Sequence, residues 1–283
     1  MVRIAYLCSA DTLPGTTRRG DAFEHDRMVD VLRPAFEAEG LALLPCAWDD
    51  PLPPDIDAAL IGTTWDYWER ADSFLAVLDA LAVPLFNDAA TVRWNSDKRY
   101  LRQLAESGVP SIPTMWLDQA TPQAVGEAFA AWGCDELVVK RQVGAGAYQQ
   151  HRLRRGEPVP AMAEPMLAQP FLRSIQTDGE VSLIYIDGSL SHGLRKLPAD
   201  GDYRIQSLYG GREVPHEARE AERAVAQAAL ACLDVVPLYA RVDLVAHEGT
   251  PRLIELELIE PYLYPRQGPE LGPRLAKALA ARG

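Results

Sequence analysis

Short apolar runs alternate with amphipathic segments over the first third of the chain. The runs at 2–8, 41–46 and 57–61 predict β-strands, whereas 21–39 and 73–81 carry the spacing of amphipathic helices. Alternation of strands and helices predicts a parallel sheet with helices on its faces. Such sheets bind ligands beyond the carboxyl ends of their strands. The candidate substrate-binding residues therefore follow the first and third strands, and they are Asp11, Trp65, Asp66 and Tyr67.

Beyond residue 95 the pattern predicts a mixed architecture. Helices are expected at 96–107, 121–132 and 217–233, and a strand at 136–140 precedes a loop with Gly144 and Gly146. We expect an α/β fold that is α+β overall, with an N-terminal parallel α/β lobe and a larger mixed antiparallel lobe.

Two hairpins are predicted in the larger lobe. Asp187-Gly188 is a strong hairpin signal between strands at 181–186 and 189–194. A symmetric pairing about that turn would place Glu180 opposite Arg195, where the two side chains could form a structural salt bridge. The second hairpin, at 239–261, turns around Gly249.

The second hairpin carries the clearest chemical pattern. Centring it on Gly249 places Asp243 opposite Glu255 and Arg241 opposite Glu257, with all four side chains on one face. Apolar residues on the other face support this register independently, and they are Val242, Leu244, Leu256 and Leu258. Neighbouring carboxylates repel one another, and Mg²⁺ would relieve that repulsion. The alternative is a solvated charged strand in which Arg241 bridges to Glu257.

Composition narrows the class of protein. The 283 residues carry a net charge of −12, which argues against nucleic acid as a partner because such binding relies on a basic surface. No apolar run approaches the ~18 residues that span a bilayer, and the first residues lack the pattern of a signal peptide. The four cysteines are scattered without a CxxC pair. We therefore expect a cytoplasmic protein, for which a homodimer is the default assembly.

Lysine is rare, with four among 28 basic residues, and two of the four stand beside candidate ligand-binding loops. Lys140 ends a strand before the glycine loop, where it would either contact phosphate or lie at the surface. Lys98 lies near a predicted helix start, where exposed lysines are common. A further segment combines a guanidinium for phosphate with glycines that let the backbone approach an anion. An ordinary loop is the alternative for this segment, whose residues are Arg204, Gln206, Gly210 and Gly211.

The order of these features resembles the ATP-grasp superfamily over nearly the whole chain. RIQSLYGG at 204–211 resembles the Arg-x-Asn-x-x-x-Gly-Gly segment of prokaryotic glutathione synthetases at identical spacing. Other segments more closely resemble the ATP-grasp group that includes the cyclising ligase of D-cycloserine biosynthesis. These segments are TTWDY at 63–67, WNSDKRYL at 94–101, GVPSIPT at 108–114, AQPFLRSIQTDGEVSL at 168–183 and ELELIEP at 255–261.

The resemblance implies an ATP-grasp fold with an N-terminal parallel α/β lobe (1–93), a small lid (94–166) and a larger mixed antiparallel lobe with the metal site (167–283). It also implies ATP and two Mg²⁺ ions as cofactors and assigns roles to residues. Arg204 and Lys196 would steady the transferred phosphoryl group, and the family often has Asn where this chain has Glu257. The nucleotide would contact Lys98, Lys140, Gly144, Gly146, Gln169, Pro170, Phe171, Leu172 and Glu180. The metal would contact Asp243, Glu255 and Glu257. The substrate would contact Asp11, Trp65, Asp66, Tyr67, Gln206, Gly210 and Gly211.

The implied reaction is an ATP-dependent ligation of a small amino-acid-like carboxylate. Phosphoryl transfer would convert the carboxylate into an acyl phosphate, which a nitrogen nucleophile then displaces to give an amide or a ring. An acidic residue on the substrate side, such as Asp11, could pair with a substrate ammonium. Two alternatives stay open, namely a small-molecule kinase and a nucleotide-binding regulatory module without turnover.

Overall fold

Three β-sheets organise the chain in the computed structural model, which describes residues 1–15, 17–144, 146, 148–199, 202–204 and 210–282. One sheet is parallel and the other two are antiparallel, which confirms the predicted fold class. No helix in the described ranges is long and apolar enough to cross a membrane.

The parallel sheet lies in the N-terminal region. Its strand order is β2-β1-β3-β4, with β1 (Val2–Cys8), β2 (Leu41–Ala47), β3 (Ala58–Thr63) and β4 (Leu85–Phe86). The helices of this region are α1 (Ala22–Ala38), α2 (Ala71–Asp79) and α3 (Ala89–Asn95). Strand β3 is buried along its whole length, as expected for a parallel strand covered on both faces. Gly62 is required there, because a Cβ would lie 2.1 Å from the ring of Tyr6.

The second sheet lies almost wholly in the region predicted as the lid and is called the lid below. Its strand order is β5-β8-β6-β7, with β5 (Met115–Leu117), β6 (Glu136–Arg141), β7 (His151–Arg154) and β8 (Met166–Pro170). Strand β8 thus spans the predicted boundary at 166–167. Helix α5 (Pro122–Trp132) packs on this sheet, whereas helix α4 (Tyr100–Glu106) packs against the third sheet. Thr121 caps α5 by accepting a bond from the Ala124 N–H, and Gly133 ends it with a left-handed conformation.

The helix predicted at 96–107 begins four residues later than expected. The Asp97 carboxylate accepts a bond from the Arg99 N–H (2.9 Å), and the Lys98 N–H donates to the Gln142 carbonyl (2.9 Å). These bonds hold 96–99 as a turn, because short acidic side chains compete with helical hydrogen bonding. Lys98 therefore projects from a turn that is tied to the lid.

In the described part of the chain, the third sheet has five strands, against four in each of the other two, and it is called the central sheet below. Its strand order is β11-β10-β9-β12-β13, with β9 (Glu180–Ile186), β10 (Ser189–Leu197), β11 (Arg212–Pro215), β12 (Tyr239–His247) and β13 (Thr250–Glu257). The remaining helices are α6 (Ser174–Thr177), α7 (Glu220–Leu230) and α8 (Leu271–Ala280). Apolar residues of β12 and β13 pack against α4 and α7 in one buried cluster. Helix α8 packs with α1 in another.

Two buried asparagines join the N-terminal region to the central sheet. The Asn87 amide donates to the carbonyls of Tyr239 (3.0 Å) and Leu258 (2.9 Å) and accepts a bond from the backbone N–H just before β12 (2.6 Å). Asn95 donates to the carbonyl of Leu256 (2.8 Å) and accepts from the Leu258 N–H (2.8 Å). The chain on either side of the β12–β13 hairpin is therefore fixed by side chains from outside its own sheet.

We expect Asn87→Ala to lower the free energy of unfolding by about 3 kcal/mol, because it leaves buried backbone groups without partners. Urea denaturation of the two proteins measures the difference. The exposed amide Gln119 provides the control, and Gln119→Ala should change the same quantity by less than about 0.5 kcal/mol. Equal losses in the two variants would contradict the role assigned to Asn87.

Candidate active site

The charged face of the last hairpin forms as the sequence predicts. Arg241 pairs with Glu257 and Asp243 with Glu255 across β12 and β13. Beyond Asp243 the register shifts by one residue, so the symmetric pairing holds only over the charged part. The turn has positive φ at both central residues, 52° at Glu248 and 76° at Gly249. The apolar face is buried as expected, with Val242, Leu244, Leu256 and Leu258 in it.

A bulge in β10 changes which cation faces Glu180. The hairpin turn at Asp187-Gly188 forms, but the register shifts by one residue within β10, and Glu180 pairs with Lys196. The predicted opposition of Glu180 and Arg195 is therefore wrong. Because successive strand residues point to opposite faces, the extra residue reverses the orientation of everything after it. It brings Lys196, rather than Arg195, to the charged face.

Lys196 lies at the centre of a buried ion network. Its ammonium contacts the carboxylates of Glu180 and Asp243, the latter at 3.2 Å. Asp243 also accepts hydrogen bonds from the Ser182 hydroxyl (2.5 Å) and the Arg241 guanidinium (3.0 Å). Burial opposes ionisation of Asp243, yet Arg241 and Lys196 hold its pKa at about 2. The network therefore keeps Asp243 negatively charged.

Arg241 links this network to the neighbouring strand. Its guanidinium contacts the Glu257 carboxylate and donates to the Tyr262 carbonyl (3.3 Å). Burial and the charges of Asp243 and Glu255 raise the pKa of Glu257 to about 7, against the effect of Arg241. The positive charges of Arg241 and Lys196 therefore do not fully offset the negative charge of the neighbouring carboxylates.

Lys98 and Lys140, the two lysines singled out from the sequence, lie beside the Glu255 carboxylate. The Lys98 ammonium contacts Glu255 (3.0 Å) and donates to the Gly144 carbonyl (2.6 Å). Burial lowers the pKa of Lys140, and attraction to Glu255 opposes that shift. Glu255 therefore stands between the lid and the central sheet.

These groups line one cavity of about 370 Å³. Among its described lining residues, nine carry carboxylates and six are lysine or arginine. This excess of negative charge favours the binding of a cation. The cavity brings together eleven of the residues predicted for the site, which are Trp65, Tyr67, Lys98, Lys140, Gly144, Gly146, Glu180, Lys196, Asp243, Glu255 and Glu257.

Other predicted residues are not among the described cavity lining. Both Asp66 oxygens are engaged, since the carboxylate accepts bonds from Ser9 (2.5 Å), Trp48 (2.8 Å) and Arg70 (3.2 Å). Gln206 lies outside the described residues. Besides Asp66, the predicted residues outside the described lining are Asp11, Gln169, Pro170, Phe171, Leu172, Arg204, Gly210 and Gly211.

Local contacts account for several of these positions. The Gln169 amide donates to the Thr114 hydroxyl (3.0 Å), and the Phe171 N–H donates to the Glu136 carbonyl (3.0 Å). Arg204 pairs with Asp202 (2.8 Å). Asp11 faces Arg19 at 3.9 Å.

The cavity also contains residues that sequence reasoning missed. Glu260, three residues after Glu257, is one of them, and burial beside Glu257 raises its pKa to about 8. Tyr262 and Tyr264 pack edge to face with ring centroids 4.8 Å apart. The Tyr264 ring lies 5.9 Å from the Lys196 ammonium. The sequence feature that could have identified these residues is the acidic and aromatic pattern, which continues past the end of β13.

The carboxylates have the chemistry to hold a hard cation. Oxygen donors are what Mg²⁺ prefers, and burial together with the charges of Asp243 and Glu255 raises the pKa of Glu257 against the effect of Arg241. As the side chains lie, no cluster of three or more His, Cys, Asp or Glu side chains in the described part of the chain is arranged to hold a metal ion. Lys98, Lys196 and Arg241 pair with these carboxylates instead.

The parallel sheet, the lid and the central antiparallel sheet together define the ATP-grasp class of ligases. In agreement with this, D-alanine–D-alanine ligase from Bacillus anthracis has the same fold, with a TM-score of 0.71 and 15% identity over 100% of this chain and 98% of that chain. That likeness concerns the fold alone.

The particular family follows from closer relatives. The cycloserine biosynthesis protein DcsG of Streptomyces lavendulae is 33% identical over 274 residues, which cover 88% of this chain and 91% of the relative. Residues 4–87 match the family model of the D-cycloserine synthetase DcsG N-terminal domain. The crystal structure of D-cycloserine synthetase DcsG has a TM-score of 0.84 and 30% identity over 99% of both chains. The chain belongs to the DcsG family and is an ATP-dependent carbon–nitrogen ligase.

Lys196→Met should lower the free energy of unfolding by about 3–5 kcal/mol, because it leaves Glu180 without its cation and Asp243 with only one. Chemical denaturation measures the loss. The same substitution at Lys277, which is exposed on α8, should cost less than about 1 kcal/mol. A similar small loss for Lys196→Met would show that this cation does not hold the network together.

Proposed function

We propose that this ligase activates the carboxylate of a small amino-acid-like substrate as an acyl phosphate, which a nitrogen of the same molecule then attacks to close a ring. The observation that carries the proposal is the cavity in which Lys98 and Lys140 face Glu255 beside Asp243 and Glu257. The DcsG relatives, named for D-cycloserine synthesis, support the cyclising form of the reaction.

The cationic residues would neutralise the phosphates of ATP. Phosphoryl transfer depends chiefly on positioning and on charge neutralisation, which Lys98 and Lys140 would supply from the lid side. Lys196 and Arg204 would steady the transferred group. The remaining nucleotide contacts proposed are the glycine loop with Gly144 and Gly146, the segment Gln169, Pro170, Phe171 and Leu172 for adenine, and Glu180 for the ribose.

Asp243, Glu255 and Glu257 would hold Mg²⁺, for which two ions are proposed. The metal would supply positive charge to the phosphate oxygens. Metal binding is compatible with the ion pairs described above if Glu255 exchanges Lys98 for the metal. When Lys98 turns to a phosphate, Glu255 loses its contact at 3.0 Å and becomes available as a ligand.

The substrate would lie where the N-terminal region meets the central sheet. Trp65 and Tyr67 line the cavity on that side, and lid closure would protect the acyl phosphate from water. The loop with Gln206, Gly210 and Gly211 would add polar contacts. Asp66 and Asp11 are weaker candidates, because Ser9, Trp48 and Arg70 engage the Asp66 carboxylate and Asp11 faces Arg19.

The reaction is tested by incubating the protein with ATP, Mg²⁺ and a panel of D- and L-amino acids, including serine derivatives with a side-chain nitrogen. A ligase should release ADP and inorganic phosphate, and added hydroxylamine should capture the acyl phosphate as a hydroxamate. ADP together with a stable phosphorylated product would instead indicate a kinase. Nucleotide binding without substrate-stimulated ADP release would indicate a regulatory module.

Glu255→Gln should lower turnover by about 1,000-fold, since it removes a charge from the metal-binding set in a largely dehydrated site. The thermal unfolding temperature should stay close to that of the wild type because the substitution keeps the shape of the side chain. Glu106→Gln, an exposed change on α4, should leave turnover unaltered. Near-normal turnover of Glu255→Gln on the same substrate would refute the metal assignment.

A further inference from the structure

Glu260 occupies the wall of the cavity that is shared with the N-terminal region. It follows β13 directly, and its backbone carbonyl accepts a hydrogen bond from the Trp65 indole N–H (3.1 Å). Burial raises the pKa of Tyr67, and the charge of Glu260 raises it further. Glu260, Trp65 and Tyr67 therefore form one side of the cavity.

Glu260 differs from the neighbouring carboxylates in its ion pairing. Among the described residues, no lysine, arginine or histidine forms an ion pair with it, and Lys98 attracts it only from a distance. Other carboxylates of the cavity are paired, as in Arg19–Asp21, Lys196–Glu180, Arg241–Asp243, Lys98–Glu255 and Arg241–Glu257.

A carboxylate in such surroundings is complementary to a cationic ligand. Removing a charge from water is costly unless a partner replaces the lost hydration. Glu257 and Glu255 add to the negative potential at Glu260. One carboxylate suffices to bind an ammonium through a charge-assisted hydrogen bond, whereas Mg²⁺ requires several oxygen ligands. The Trp65 ring beside it is covered by the Arg19 guanidinium, which lies 5.2 Å from the ring centroid, so Glu260 rather than a ring face is the group that would bind the cation.

We infer that Glu260 binds the primary ammonium of the substrate and of its cyclised product, and that it thereby selects ligands with an amine. This inference rests on the proposed function, because it assigns recognition within the same cavity. Glu260 takes the role that the sequence suggested for Asp11, which is not among the described lining residues. The contact is a charge-assisted hydrogen bond and involves no covalent step.

Two small ligands that differ by the amine test the inference. D-Cycloserine carries a primary amine on its ring, and isoxazolidin-3-one is the same ring without it. Calorimetric titration in the presence of ADP and Mg²⁺ should show that the wild type binds D-cycloserine tighter by about tenfold or more, as a charged hydrogen bond provides. Glu260→Gln should bind the two ligands with affinities within about twofold of each other.

Further measurements separate recognition from a structural effect. Glu260→Gln should keep the wild-type affinity for ADP and the wild-type unfolding temperature, since the Trp65 bond goes to the backbone. Glu69→Gln removes an exposed charge at the edge of the same cavity. This control should keep the preference for D-cycloserine, which excludes a general effect of net charge.

Two results would overturn the inference. One is a preference for D-cycloserine that persists in Glu260→Gln, and the other is equal or absent binding of both ligands by the wild type. The hydroxamate assay on the wild type is independent of this comparison. Amine preference that depends on Glu260, without hydroxamate formation, would count against the acyl phosphate reaction and leave the role of Glu260 standing.

Discussion

The pairing of β12 with β13 is the constraint on which the rest of the structure depends. It sets Arg241 and Asp243 against Glu257 and Glu255 on one face, while the opposite face packs into an apolar core with α4 and α7. A slip of one residue would exchange the two faces, burying charges in the core and exposing leucines. The cost of either error is several kcal/mol, so the core fixes the positions of Asp243, Glu255 and Glu257.

The carboxylates in turn require the cations around them. Asp243 is buried, and Lys196, Arg241 and Ser182 satisfy its oxygens. Lys98 brings the lid into the same arrangement through Glu255 and Gly144. A ligase that handles phosphates needs both signs of charge in place before the substrates arrive, because preorganised charges need no rearrangement during reaction. The ion pairs thus hold the binding groups in a dehydrated site by letting them neutralise one another.

Local patterns were sufficient to predict some features and insufficient for others. Alternation of polar and apolar residues determines the register of the last hairpin, and that prediction is confirmed where the charges lie. It does not reveal the extra residue in β10, because a bulge depends on packing between strands; Lys196 therefore replaced Arg195 as the partner of Glu180. Likewise, Asp66 accepts bonds from Ser9 and Trp48, contacts between residues far apart in sequence that no local pattern encodes.

The last hairpin carboxylate shows how the charge pattern and the family pattern can be reconciled. Where the resemblance leads one to expect Asn, this chain has Glu257, which contacts Arg241. The extra negative charge is therefore accompanied by a positive one on the facing strand. A carboxylate has two oxygens and about four acceptor positions, so an oxygen turned away from Arg241 can still serve a cation. Pairing with Arg241 and binding a metal are then compatible roles, and Arg241 offsets the extra negative charge of Glu257 at a position where the resemblance implies that Asn is frequent.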